Sequence, residues 1–205
     1  PFGLMRYNPC GIDDMQGFAL IYQPEFDILI PTNQNLRRKN VMYQYVFKQM
    51  KKQDIPIFLP EMFDLLAGNM SKIAPTGNSY DEDYKIWSEC VVPVFNEEKR
   101  SVILIFDRDS LCGFFQYCVT NTTFRMDEIQ FKQEYQGSGL FSKLYHYLTT
   151  IIPVKTKYVD AYSHKANLKS QGILKHLGLK ESGESKNGNC LYFKGEYKTI
   201  LERYS

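Results

Sequence analysis

Few features that mark specialised classes of protein are present in this sequence. The five cysteines are odd in number and form no Cys-x-x-Cys pair; they are Cys10, Cys90, Cys112, Cys118 and Cys190. This argues against a disulfide framework and against a zinc site. No apolar run approaches the ~20 residues of a membrane span, and the first residues carry no signal-peptide pattern. We therefore expect free thiols, no bound metal, no membrane partner and a cytoplasmic location.

An excess of charge of one sign is also lacking. The chain carries 25 Lys and Arg against 23 Asp and Glu, a net charge of +2, which does not favour a nucleic-acid partner. Residues 1–90 carry 9 basic and 11 acidic side chains, and residues 91–205 carry 16 and 12. A mildly basic C-terminal half suits a ligand that bears phosphate, and an uneven solvated surface explains it equally well.

What is present is an ordinary globular composition. The 205 residues are 43% hydrophobic and 23% charged, with 15 Tyr and 14 Phe but only 1 Trp. A folded chain of this size buries roughly 70% of the surface that it exposes when unfolded. We expect one large domain, or one domain with an extension.

The first 98 residues carry mixed signals. A segment without Gly or Pro, in which Val41, Tyr45 and Gln49 fall four apart, predicts a helix with Thr32 or Asn33 as its cap. In a second helix Pro60 suits the first turn and Gly68 the C-terminal cap. The full prediction is a strand at 26–30, helices at 33–53, 60–68 and 84–90, and a loop at 75–83.

The pattern sharpens from residue 100 onward, where three apolar runs of strand length are separated by turn residues. The third strand is predicted to place Phe124, Met126, Glu128 and Gln130 on one face and Arg125, Asp127, Ile129 and Phe131 on the other. The predicted order is strands at 102–106, 111–119 and 123–132, a glycine turn at 137–139, a helix at 140–152, a strand at 157–162, a helix at 167–177, and strands from 179 and at 190–193. This order predicts an α/β fold with a mixed, mostly antiparallel sheet flanked by helices.

The glycine turn carries the most chemical information. A strand runs into Gly137-Ser138-Gly139 and then into an amphipathic helix. Successive amides in such a turn point at one spot, the helix dipole adds positive potential there, and glycine lets a diphosphate approach the backbone. It is not a Walker loop, because no Gly-Lys-Ser/Thr follows, and it lacks the third glycine of a dinucleotide fingerprint. A turn that holds no ligand is the structural alternative.

Two motifs make the chain similar to the GNAT superfamily of acetyl-CoA-dependent N-acetyltransferases. Residues 136–141 resemble the family's Gln/Arg-x-x-Gly-x-Gly/Ala motif, except that Phe141 fills the final small-residue slot. Gly113, before an apolar residue on the second strand, also matches. A second motif, Asn-x-x-Ala-x-x-Leu-Tyr-x-Lys-x-Gly-Phe, aligns with Asn167, Ser170, Ile173, Leu174, His176, Gly178 and Leu179.

The resemblance implies a set of acyl-CoA contacts. The pantetheine arm would lie along the strand that precedes the turn, the pyrophosphate in the turn itself, and the thioester end near the second motif. The implied residues are Ile129, Gln130 and Phe131 for the arm, Gln136, Gly137, Ser138, Gly139, Leu140 and Phe141 for the pyrophosphate, and Asn167 for the pantetheine or thioester.

The implied chemistry is direct attack by a neutral amine on the thioester. Glu128 is the candidate general base, with a solvated strand residue as its alternative and Asp127 as a second choice. His164 is a candidate base or acid, and the alternative is an ordinary loop histidine. Leu174 fills the slot in which many family members place a tyrosine acid, so the resemblance does not supply a general acid.

The resemblance covers about residues 100–195. It implies that residues 99–205 form a GNAT acyl-CoA-binding core and that residues 1–98 are a variable N-terminal part on the acceptor side of the same domain. It implies an N-acyltransferase that moves an acetyl or other acyl group to a primary amine of a small molecule or peptide, and it is compatible with a homodimer. The alternatives are a weakly active or inactive acyl-CoA sensor or scaffold, and an unrelated phosphate-binding protein with a similar turn.

Overall fold

A seven-stranded sheet organises the computed structural model, which describes residues 43–205. The strand order is β1-β2-β3-β4-β5-β7-β6, and every neighbouring pair is antiparallel except β4 and β5, which run parallel. The strands are β1 (Tyr45–Gln49), β2 (Arg100–Asp107), β3 (Ser110–Thr120), β4 (Thr123–Phe131), β5 (Tyr158–His164), β6 (Lys180–Glu184) and β7 (Cys190–Glu196). The predicted mixed, mostly antiparallel sheet is therefore confirmed.

Helices cover both faces of this sheet. They are α1 (Ile55–Met70), α2 (Tyr80–Phe95), α3 (Leu140–Ile151), α4 (Leu168–His176) and α5 (Tyr197–Tyr204). Buried side chains of α1 and α2 form one apolar cluster with one face of β2 and β3. Buried side chains of α3, α4 and α5 form a second cluster on the opposite face. We call these the α1 face and the α3 face of the sheet. Within residues 43–205, no helix combines the length and the apolar character that a bilayer crossing requires.

The helix expected at 33–53 is wrong in the part that the structure describes. Residues Tyr45–Gln49 form β1, whose five residues pair antiparallel with β2 from Asp107 to Ile103. Tyr45 and Phe47 pack against the α3-face cluster, while Val46 is exposed, which is the alternation of a strand. Ladder pairing with a distant strand therefore overrides the four-residue spacing. Residues 33–42 of this prediction, and the strand expected at 26–30, lie outside the described residues.

The two helices that follow are longer than expected. Helix α1 begins at Ile55, so Pro60 and Gly68 lie inside it instead of marking its ends; its buried apolar face, including Met62 and Phe63, holds it on the sheet. Helix α2 begins at Tyr80, inside the expected loop, because Ser79 caps it in a reciprocal capping box with Glu82.

The expected alternation along the third strand is wrong beyond Met126. The β3–β4 register shifts so that Gln116 pairs with Glu128 and the next residue pairs with Met126, which leaves Asp127 as a β-bulge. A bulge reverses the faces that follow it. Ile129 and Phe131 therefore join Phe124 and Met126 in the α3-face cluster, and Glu128 and Gln130 turn toward the α1 face.

The other elements predicted after residue 100 are confirmed to within a few residues, and α5 was missed. Helix α5 has only eight residues, and just Tyr197 and Ile200 of these are buried. Its apolar residues have helical spacing, at Tyr197, Ile200, Leu201 and Tyr204, but a helix this short depends on its contacts with the rest of the fold.

Gly113 provides a test of the packing between β3 and β4. A Cβ atom at Gly113 would lie 2.5 Å from the Gln130 carbonyl oxygen and 2.6 Å from the Phe131 ring. We expect Gly113→Ala to destabilise the protein by about 1–3 kcal/mol and to lower Tm by several degrees in a thermal melt. The matched control is Gly172→Ala in α4, where a Cβ meets nothing within 4 Å and helix propensity should raise Tm slightly. Equal melting of the two variants would contradict this packing argument.

Candidate active site

The sheet divides where β4 and β5 part. The two strands pair only from Thr123–Met126 on β4 to Tyr158–Ala161 on β5. Both strands continue, β4 to Phe131 and β5 to His164, but the ladder between them ends at Met126, one residue before the bulge. The second half of β4 therefore has no pairing with β5, and we call this place where the two strands part the fork.

The glycine turn begins just after this half of β4 ends. Gly137 and Gly139 have φ angles of 73° and 80°, in the left-handed region that glycine adopts without strain. Gly139 is the N-cap of the 12-residue helix α3, which has no side-chain cap, and a Cβ built there would meet nothing within 4 Å. The start of α3 thus combines a helix dipole with open space beside the backbone, as an anion requires.

The side chains of the turn are anchored on both sides. The Ser138 hydroxyl donates to the Tyr135 carbonyl at 2.6 Å and lies 2.6 Å from the Tyr45 hydroxyl on β1. The Gln136 amide donates to the Phe131 carbonyl at 3.4 Å. These contacts tie the backbone of the turn to the strands beside it.

The bulky residue in the small-residue slot points into the protein. The Phe141 ring lies 4.4 Å from that of Tyr145 and 6.4 Å from that of Tyr204, measured between centroids, and it packs against the α3-face cluster. Leu140 beside it is fully buried.

The arm-binding residues predicted on β4 border the fork. Ile129, Gln130 and Phe131 follow the last residue that pairs with β5. Their side chains are completely buried, Gln130 on the α1 face and the other two on the α3 face.

Glu128 lies beside the fork, on the α1 face. Only 2% of it is exposed, and its Oε1 accepts a hydrogen bond of 3.1 Å from the side-chain amide of Gln130. Burial raises the pKa of Glu128 to about 7, although the amide favours the ionised form. A carboxyl with a pKa near neutrality is suited to proton transfer at neutral pH.

Asp127, the second choice for a base, is engaged in a charged cluster at the foot of the fork. Its carboxylate pairs with Arg100 of β2, and burial raises its pKa to about 6 even though Arg100 opposes the shift. Arg125 makes a two-pronged ion pair with Asp160 of β5, at 2.9 and 3.0 Å. The Tyr192 hydroxyl donates to Asp160 at 3.0 Å.

His164 is the last residue of β5, where it pairs with Cys190 of β7, and Asn167 lies in the turn that follows. The His164 Nδ1 accepts from the Ala166 amide at 3.2 Å, and burial lowers the pKa of this imidazole. The side-chain oxygen of Asn167 accepts from the Ser170 amide at 3.0 Å, which makes Asn167 the N-cap of α4. Among the hydrogen bonds and ion pairs found within residues 43–205, none joins His164 to Glu128.

The contact of Asn69 with β4 was not predicted from the sequence. Asn69 lies near the end of α1, and its Nδ2 donates to the Gln130 side-chain oxygen at 2.8 Å and to the Phe131 carbonyl at 3.1 Å. No local pattern in the sequence indicates this role, since its partners are more than 60 residues away. Leu174, in the expected tyrosine slot, is fully buried in the α3-face cluster.

Solved acetyltransferases share this architecture. An acetyltransferase from Thermus thermophilus superposes with a TM-score of 0.60 at 11% identity, over 76% of this chain and 99% of its own. The chain has the GNAT fold. The aminoglycoside acetyltransferase AAC(6')-Ib, in complex with coenzyme A and kanamycin, gives a TM-score of 0.56 at 12% identity, over 79% of this chain and 100% of its own. Spermidine N-acetyltransferase from Vibrio cholerae, in complex with CoA and spermine, gives a TM-score of 0.51 at 14% identity, over 77% of this chain and 98% of its own.

The likeness lies in the fold and not in the sequence as a whole. No protein-family model and no curated protein sequence matches the chain. The first motif covers the turn before α3, and the second begins at Asn167, the N-cap of α4.

The raised pKa of Glu128 predicts a pH-dependent stability. The folded protein favours the protonated carboxyl, so its stability relative to Glu128→Gln is greatest below the ordinary pKa of 4.5 and falls as the pH rises to about 7. The loss should be on the order of 3 kcal/mol. Urea unfolding at pH 5 and pH 8 measures it, with Glu184→Gln on exposed β6 as the control. An equal change in the unfolding free energies of wild type and Glu128→Gln between the two pH values would contradict the assignment.

Proposed function

We propose that the protein is an N-acyltransferase that moves an acetyl or other acyl group from acyl-CoA to a primary amine. One observation carries the proposal: a fork between β4 and β5 lies beside a glycine turn at the start of α3, and a buried carboxyl with a raised pKa borders it. The GNAT fold supports it, as do the coenzyme A, kanamycin and spermine in two of the structures that share it.

The acyl-CoA fits the chain through its backbone. The left-handed Gly137 and Gly139 lead into a helix N-terminus without a side-chain cap, which suits the pyrophosphate. The amides of Gln136 and Ser138 already donate to the Gln133 and Tyr135 carbonyls, so the start of α3 would make the main contact. The half of β4 from Ile129 to Phe131 borders the fork, where the pantetheine arm would lie. Asn167 caps α4, three residues after the end of β5, the other strand of the fork. The thioester supplies the carbon that the amine attacks.

Glu128 is the general base in this proposal. Its carboxylate takes the amine proton, directly or through one water molecule, because a carboxyl with a pKa of about 7 is substantially ionised at neutral pH. Burial lowers the pKa of His164, and its Nδ1 already accepts from the Ala166 amide, so His164 is not the principal base in this proposal. Leu174 carries no proton that it could donate to the leaving thiolate of CoA. Another side chain or a water molecule would supply that proton.

The acceptor would approach from the α1 face, because Glu128 turns to that side. We propose that the part of residues 1–98 that the structure describes, β1, α1 and α2, belongs to this acceptor side, and that residues 99–205 form the acyl-CoA core. The acidic start of α2 is largely occupied locally: Glu82 closes the capping box of Ser79, and Asp83 accepts from Thr76 and Asn78. The acceptor is a small-molecule or peptide amine.

A specific observation favours a second candidate function. Because Leu174 is buried in the tyrosine slot, the chain could bind acyl-CoA as a sensor or scaffold with little catalysis. The two functions differ in one measurement. The enzyme releases free CoA thiol when acetyl-CoA is mixed with polyamines, aminoglycosides, amino acids or N-terminal peptides. The scaffold binds acetyl-CoA and releases none with any of them.

Binding at the turn is tested by placing a negative charge there. Gly139→Asp should weaken acetyl-CoA binding at least tenfold in calorimetry, because a carboxylate repels the pyrophosphate at the start of α3. Gly77→Asp is the matched control, since Gly77 has a φ of 84° and nothing within 4 Å of a built Cβ, so backbone strain and added charge are the same. Equal affinities in the two variants would remove the turn from the site.

Catalysis by Glu128 is tested with an isosteric change. Glu128→Gln should lower kcat about 10²–10⁴-fold while the Kd for acetyl-CoA stays within a few-fold of wild type. In the wild type, kcat/KM should rise with pH through about pH 7 as the carboxyl ionises. A variant that keeps full activity with the same pH profile would exclude Glu128 as the base.

A further inference from the structure

The geometry points to Asn69 and Gln130 as positioning residues that fix the hydrogen bond donated to Glu128. This inference rests on the proposed role of Glu128 as the base. It adds that helix α1, through Asn69, helps to set the pH at which that base ionises. Neither side chain was singled out by the sequence motifs for this role.

The direction of each hydrogen bond follows from one backbone oxygen. The Phe131 carbonyl can only accept, so the Asn69 atom 3.1 Å from it is the amide nitrogen. That same nitrogen lies 2.8 Å from Gln130, which must therefore present its side-chain oxygen. The nitrogen of the Gln130 amide is then left to face Glu128 at 3.1 Å. The Phe131 carbonyl thus determines, through two amides, that Glu128 receives a donor.

Burial strengthens the effect of these two side-chain amides on the ionisation of Glu128. Gln130 is completely buried and Glu128 is 2% exposed, and a hydrogen bond in such surroundings is electrostatically stronger than one in water. A donor stabilises the carboxylate, whereas a Gln130 turned the other way would present an oxygen and oppose ionisation.

The other groups around Glu128 do not supply this stabilisation. On its own strand, Asp127 is the neighbouring charge, and it raises the pKa of Glu128 although it pairs with Arg100 of β2. Across the ladder on β3, the partner is neutral Gln116. From α1, the contact is neutral Asn69 through Gln130. Among the described residues, the Gln130 amide is the hydrogen-bond donor to this carboxyl.

The test removes the donor at Asn69 and measures Glu128 directly. Asn69→Leu keeps a similar volume without charge, and Asn69→Asp keeps the shape but cannot donate from an ionised carboxylate. In both, Gln130 is released to rotate, and the pKa of Glu128, measured by carbon-13 carboxyl NMR with Glu128→Gln as the assignment standard, should rise by about one pH unit. The acid limb of the kcat/KM profile should move up equally, with about a tenfold loss at pH 6 and recovery at pH 9.

Controls separate this role from a structural one. Gly68→Ala changes the neighbouring residue of α1, where a Cβ meets nothing within 4 Å, and should leave both the pKa and the profile unchanged. Gln130→Met removes the donor itself and should also raise the pKa of Glu128. It replaces the Asn69 variants if they do not fold. An unchanged pKa of Glu128 in folded Asn69→Leu, Asn69→Asp and Gln130→Met overturns the inference. The NMR measurement needs no acceptor, so absence of transferase activity would refute the proposed function while the pKa still decides the inference.

Discussion

The separation of β4 from β5 after Met126 is the constraint on which the rest of the site depends. Two ion pairs stand at that point: Arg100 with Asp127 from β2 to β4, and Arg125 with Asp160 from β4 to β5. They hold the strands together where pairing ends, and the bulge at Asp127 adds the local twist that turns β4 away. A sheet paired along its full length would leave no room between these strands.

The same bulge separates the two kinds of side chain that the site needs. Before it, Phe124 and Met126 face α3; after it, Ile129 and Phe131 do. Glu128 is thereby turned to the α1 face, while the glycine turn leads into α3 on the other side of the sheet. An acyl donor held at the turn and an amine that approaches from α1 would meet only in the fork. The extra residue in β4 would thus put an acyl donor held at the turn and Glu128, the proposed base, on opposite sides of the fork.

Part of the fold and of the candidate site could be predicted from the sequence alone. The strands after residue 100 and the glycine turn were predicted, because each depends on local periodicity or on a short motif. The role of Glu128 as base came from the resemblance and stays a prediction. The bulge was missed, although two polar residues in a row, Asp127 and Glu128, interrupt the alternation and shift the apolar positions to Ile129 and Phe131. Strand β1 was predicted as a helix because its pairing partner lies more than 50 residues away on β2.

The sequence by itself determined which segments are strands and helices after residue 100 and where glycine permits left-handed backbone, because those properties depend on neighbours along the chain. Only the tertiary structure decided how strongly burial raises the pKa of Glu128, and that Asn69 and Gln130 direct a donor to it. Those properties arise from contacts between α1 and β4, which are distant in sequence. Desolvation and hydrogen-bond direction exist only once such segments have packed.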